Sequence, residues 1–216
     1  MRIIFVAATA LLLAGSAQAV TIVNGSFENG VAVTGGTTTL ATDDETSLTG
    51  WKILADGVDY VDNTLWNASA GLRSIDLSAL STGGILQRLT GLTVGERYRV
   101  RFDLSGNPFD PAARPRDKRL LVSTSGTTPG TFDYSLTAAN TATNMLFQSL
   151  FYDFTAIGAS QDLRFQSLVM NEYGAVLDNV SISVVPEATT WTMLIAGFAL
   201  VGFAARRRGG VPRATA

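Results

Sequence analysis

The 216-residue chain has no cysteine and no histidine, and only 16% of its residues are charged, for a formal net charge of −2. Without cysteine there is no disulfide scaffold or thiolate metal site, and without histidine there is no Ser-His-Asp, Cys-His or histidine-ligated zinc or iron chemistry. Both ends are apolar, and residues 20–185 between them carry 11 basic against 17 acidic side chains, which argues against a nucleic-acid partner.

Residues 1–19 place one positive charge, Arg2, ahead of an apolar run from Ile3 to Ala14 and end on Ala17-Gln18-Ala19, a small-x-small cleavage site. This is the pattern of a secretory signal peptide cut after Ala19, so the chain is expected to be exported. Residues 20–185 then amount to one domain. Its Thr- and Gly-rich run Thr34–Thr39 reads as a loop, as does the acidic Asp43-Asp44-Glu45. A period of two follows at Ser74–Leu77, Gly84–Leu89 and Tyr98–Leu104; in the last, apolar and charged residues alternate as a half-buried strand requires. Pro108, Pro111 and Pro115 make Asn107–Lys118 a long charged loop. Strands resume at Leu120–Ser123, Phe132–Leu136, Leu150–Ala156, Leu163–Val169 and Ala175–Val184, with turn residues between them. The expected fold is an all-β two-sheet jelly-roll sandwich rather than a small open barrel.

Residues 186–216 form a separate C-terminal segment. The run Trp191–Ala205 is uncharged and meets Arg206, Arg207 and Arg208 directly, with the basic tail continuing to residue 216. As a helix it would reach about 22 Å against a hydrocarbon core of about 30 Å, which is short for a permanent span. The arginines suit the cytoplasmic side, so a transmembrane helix over about 191–205 is expected, with the domain outside and the tail inside.

Two resemblances sharpen this. Pro186-Glu187, Trp191 and Met193-Leu194-Ile195, then Gly197-Phe198 and the arginines, resemble the PEP-CTERM sorting signal of Gram-negative bacteria. The resemblance implies an exosortase-type membrane transpeptidase as partner, transient or permanent inner-membrane anchoring, and delivery to the cell surface or biofilm matrix. Ala188 stands where the signal has its second proline and Thr192 where alanine is usual. The domain itself resembles the choice-of-anchor C family at Asn24-Gly25-Ser26-Phe27-Glu28, Gly50-Trp51, Val58-Asp59-Tyr60-Val61, Ser74-Ile75-Asp76-Leu77, Ser105-Gly106-Asn107 and Leu177-Asp178-Asn179-Val180. That resemblance implies a galactose-binding-like jelly roll of a carbohydrate-binding type on a surface or matrix protein.

The candidate sites follow. Glu28 near the first strand and Asp178 near the last can meet where those strands are neighbours; similar openings and endings in carbohydrate-binding modules hold a structural Ca²⁺, and the plainer reading is that both accept backbone hydrogen bonds. Trp66, with Asp59, Asp62 and Asn63 around it, is the candidate sugar platform, set against core packing and solvated loop residues; Trp51 reads as core. Arg114, Arg116, Lys118 and Arg119 suit an acidic polysaccharide or a solvated loop. Asp43-Asp44-Glu45 would serve a glycosidase only with a partner carboxylate. The leading reading is a non-catalytic, exported carbohydrate-binding-like protein. The alternatives are a matrix or adhesion protein that binds no sugar and a carboxylate-only glycosidase or lyase.

Overall fold

The computed structural model describes residues 20–112, 116–186, 195–203 and 206. The expected signal peptide, Arg114, and Glu187, Ala188, Trp191, Thr192, Arg207 and Arg208 of the sorting signal lie outside them. Strand-forming alternation dominates the domain and sorts its side chains into two sheets. The first has the order β1 (Thr37–Leu40), β3 (Val58–Asp62), β4 (Arg73–Asp76), β11 (Ala175–Val184), β6 (Arg97–Gly106) and β9 (Gln148–Thr155). The second has the order β2 (Lys52–Ala55), β5 (Gly83–Thr90), β10 (Ser160–Ser167), β7 (Arg116–Thr124) and β8 (Gly130–Leu136). All neighbours pair antiparallel.

The inner faces meet in one core. A row of aromatic rings runs through it: Phe27 to Trp51 at 5.6 Å, Trp51 to Phe165 at 6.2 Å, Phe165 to Phe102 at 5.5 Å and Phe102 to Phe132 at 5.1 Å between centroids. Each such ring removes a large apolar area from water, and tilted or edge-on contacts suit their quadrupoles. Trp51 is 2% exposed and serves as core.

The strands from β4 onward fall where the sequence pattern places them, with ends shifted by at most four residues. Two expected loops are partly strand: Thr37–Thr39 belong to edge strand β1, and β7 already starts at Arg116, inside the proline-rich stretch. β1 buries only Leu40, so it carries no alternation to read. The first and last segments of the domain do meet. β11 has a bulge between Asp178 and Ser181, with Asn179 at φ 52°, and there the Val180 N–H donates to Gly25 O at 2.8 Å. A Cβ on Gly25 would sit 1.9 Å from the Val180 carbonyl oxygen, so only glycine permits this approach.

Residues 195–203 are helical, and Ile195, Phe198, Leu200, Val201 and Phe203 on them are exposed. Among the described residues no helix is long and apolar enough to cross a membrane. The span expected over 191–205 is therefore described only in this piece.

Candidate functional site

The two outer faces of the sandwich differ, and the difference locates the site. On the six-stranded sheet, Val61 of β3 and Val176 of β11 point outward, and the loops 63–72 and 137–147 fold over them. Trp66 and Met145 complete a second apolar cluster there, with Leu65, Ala142 and Phe147 packed against it. Polar bonds fasten the roof: Trp66 Nε1 donates to Ser74 Oγ at 2.9 Å, Ser105 Oγ to Met145 O at 2.5 Å, and Asn67 Nδ2 to Thr143 O at 3.0 Å.

Trp66 is 3% exposed, and Phe109 lies beside it with ring centroids 6.1 Å apart. Its ring is thus enclosed, where stacking on a sugar requires an open ring face. The acidic residues proposed around it are separately occupied. Asp59 Oδ1 accepts from Thr39 Oγ1 at 2.6 Å, Asp62 accepts from the Thr64 N–H at 2.9 Å, and Asn63 is exposed. Burial pushes the Asp59 carboxyl up, while the Thr64 hydrogen bonds hold Asp62 below the usual carboxylate range.

Glu28 and Asp178 converge on one loop. Asp178 Oδ2 accepts from Ser69 N at 2.7 Å and Ala70 N at 2.8 Å, and its Oδ1 accepts from Asn179 N at 2.6 Å. Glu28 Oε1 accepts from Leu72 N at 2.9 Å and Arg73 N at 3.0 Å. Asp103 joins from β6, accepting from Ser69 Oγ at 2.5 Å and Asn179 Nδ2 at 3.0 Å. Gly71, at φ +70°, lets the loop pass Glu28, since a Cβ there would lie 2.4 Å from Oε1. Calcium takes six to eight oxygens. Here the backbone N–H groups of residues 69, 70, 72, 73 and 179 aim their positive ends at the two carboxylates. Among the described residues no three acidic groups are gathered to hold a metal. The residues as placed fit a hydrogen-bonded clamp and do not fit that ion. A chelator is therefore expected to leave the melting temperature unchanged; a fall that added calcium reverses would contradict this.

A third cluster lies where the loops after β4, β6 and β10 meet. Asp76 is fully buried and accepts from Asn107 Nδ2 at 2.8 Å and Ser78 N at 3.0 Å. Burial pushes its carboxyl up to about 8, and burial likewise pushes Asp178 up to about 7, with Asp103 adding to the rise. Unfolded carboxyls titrate near 4. From there to pH 7–8 the folded chain holds more protons than the unfolded one, so stability falls as pH rises. Thermal melts are expected to give a higher melting temperature at pH 5 than at pH 8.

Lys118 in the same cluster is neither solvated nor available to a polysaccharide. Its side chain is 0% exposed, and Nζ donates to Asp110 Oδ2 and to Tyr173 O, each at 2.5 Å. Arg116 shares Asp110 at 2.9 Å, and Arg119 pairs with Asp133 at 2.6 Å. Asp43 and Glu45 of the acidic run are tied to Lys52 at 3.0 and 3.1 Å.

The five-stranded sheet has no comparable apolar roof among the described residues. Its outward positions include Leu86 and Arg88 on β5, Asp162, Arg164 and Gln166 on β10, and Arg119, Leu121 and Ser123 on β7. Two clefts adjoin on this face. One of about 360 Å³ is lined by Glu45, Lys52 and Arg88, the other of about 310 Å³ by Ser123, Ser125 and Arg164, and both include Leu86 and Asp162. Arg88 pairs with Asp162 at 3.0 Å. Alternation marked these side chains as outward, but nothing in the sequence says which sheet stays uncovered.

Residues 184–208 match the PEP-CTERM protein-sorting motif. The match marks the chain as an exported protein sorted by an exosortase-type system. Halomucin of Haloquadratum walsbyi is 30% identical over 191 residues, which is 83% of this chain and 2% of halomucin, so the chain spans only a small piece of that relative. The domain is similar in fold to an arabinose-bound α-L-arabinofuranosidase, MgGH51 (TM-score 0.51, 12% identity, 79% of this chain and 27% of that one). Other similar structures are the galactotriose complex of TmCBM61 (0.44, 15% identity, 75% and 96%) and the CBM22-1 xylan-binding domain of Paenibacillus barcinonensis Xyn10C (0.41, 20% identity, 73% and 100%).

Proposed function

We propose that this exported chain is a non-catalytic polysaccharide-binding protein whose ligand lies along the outer face of the five-stranded sheet. The observation that carries the reading is the asymmetry of the sandwich: loops and an apolar cluster roof one sheet, while the other presents two adjoining clefts bordered by Arg88, Ser123, Asp162 and Arg164. A flat row of hydroxyl, carboxylate and guanidinium groups on rigid strands suits a hydroxyl-rich chain, because each group donates or accepts at a fixed place. Membership of the choice-of-anchor C family belongs to the same proposal. So does a route in which an exosortase-type transpeptidase removes the tail at the inner membrane and passes the domain to the cell surface or matrix.

Affinity electrophoresis of the exported protein in gels with neutral and acidic polysaccharides tests the binding. Retardation by at least one polymer is expected, without release of reducing ends. No retardation, with matrix proteins still retained on the immobilised domain, would favour the adhesion reading; turnover of a polymer would favour the hydrolase or lyase reading. Mass spectrometry of the mature C-terminus tests the route, with loss of Arg206–Arg208 expected in an exosortase-competent host.

A further inference from the structure

Among the described residues, one buried side-chain polar atom has no hydrogen-bond partner: Arg164 Nε. Arg164 is on β10, in the middle of the five-stranded sheet, and faces outward between Leu86 of β5 and Ser123 of β7, its cross-strand neighbours. Neither neighbour is acidic. The acidic residue two positions earlier on the same face, Asp162, is engaged by Arg88 at 3.0 Å. The other outward arginine of this sheet, Arg119, has its own carboxylate in Asp133 at 2.6 Å. Among the described residues of this sheet, Arg164 is a half-buried cation with no ion pair, lining a cleft of about 310 Å³ beside Ser123 and Ser125. A buried donor left unmade is costly, and a guanidinium offers a planar fork whose best complement is a carboxylate bound at two points.

We propose that Arg164 binds the carboxylate of a uronic-acid residue, making the ligand of the open sheet an acidic polysaccharide. The proposal rests on the reading of this face as the polysaccharide site. On binding, the Arg164 side chain turns its shielded Nε toward the cleft, so that Nε and one terminal nitrogen donate to the carboxylate in parallel, and Ser123 offers a hydroxyl to the same sugar.

The test compares the exported protein and its Arg164→Gln and Arg164→Lys variants on polygalacturonate, on the same polymer fully methyl-esterified, on neutral galactan and on sulfated galactan. Thermal melts of each variant control for folding. Polygalacturonate is expected to bind, with affinity lower by about tenfold or more after methyl esterification or Arg164→Gln, and only partly restored by lysine, which keeps the charge without the fork. Equal binding of the esterified polymer, or an unaffected Arg164→Gln variant, would overturn the carboxylate assignment and leave the polysaccharide site standing. Tighter binding of the sulfated polymer would also overturn it. Failure of all four polymers to bind would instead overturn the reading of this face on which the inference rests.

Discussion

Lys118→Ala is expected to lower the melting temperature by about 10 °C. Breaking a buried ion pair from one side costs about 3–5 kcal/mol, and each kcal/mol shifts a domain of this size by about 2–4 °C. Lys118 is 0% exposed and Asp110 2% exposed at the side chain, so the aspartate cannot recover water when its partner goes. Arg116 and the Ala112 N–H, both at 2.9 Å from the Asp110 carboxylate, soften the loss without replacing the ammonium. Lys118→Met keeps the stem that packs against Gly106 and still removes the charge, so it is expected to cost nearly as much. Combining it with Asp110→Asn should cost less than the sum of the single changes, because the second removes the charge that the first leaves stranded. Equal additive losses in a double-mutant cycle would show that the two side chains act independently.

Trp66→Ala is the second change with a large expected effect, about 3–5 kcal/mol. It removes the centre of the cluster that roofs the six-stranded sheet and leaves Ser74 Oγ, on the buried face of that cluster, without the indole N–H. The loops 63–72 and 137–147 are expected to become sensitive to limited proteolysis, while the remaining folded protein keeps its affinity for polysaccharide. Trp66→Phe retains most of the packing and loses mainly the hydrogen bond, at about 1 kcal/mol. An unchanged melt together with lost sugar binding in Trp66→Ala would restore this ring as the sugar platform.

Much of the sandwich is legible in the sequence because β7, β8, β10 and parts of β5 and β6 bury alternate residues, as in Tyr98, Val100 and Phe102 of β6, whereas β4 and the start of β11 are buried without alternation. β1 and β2 are four residues long, and β1 buries only Leu40, so periodicity has nothing to act on there. Lys118 is hidden by its neighbours. It sits in a charged run that reads as solvated, yet it holds the inward position of β7 together with Leu120 and Val122. Trp66 is ambiguous for a different reason: its roof comes from Ala142, Met145 and Phe147, far along the chain, and no local pattern joins the two loops. For Glu28 and Asp178 the convergence was legible, but not the N–H groups of the 69–73 loop that satisfy them. Arg164 carries a signal that register alone decodes. Its outward place follows from Leu163 and Phe165 on either side, whereas its lack of an anion depends on finding Leu86 and Ser123 opposite.

The most direct test of the open-sheet site is a chemical-shift map of the ¹⁵N-labelled protein titrated with a bound oligosaccharide. Perturbations confined to Leu86, Arg88, Ser123, Asp162, Arg164 and their backbone neighbours are the predicted result. Perturbations centred on Asp59–Ser69, with the five-stranded sheet silent, would contradict it.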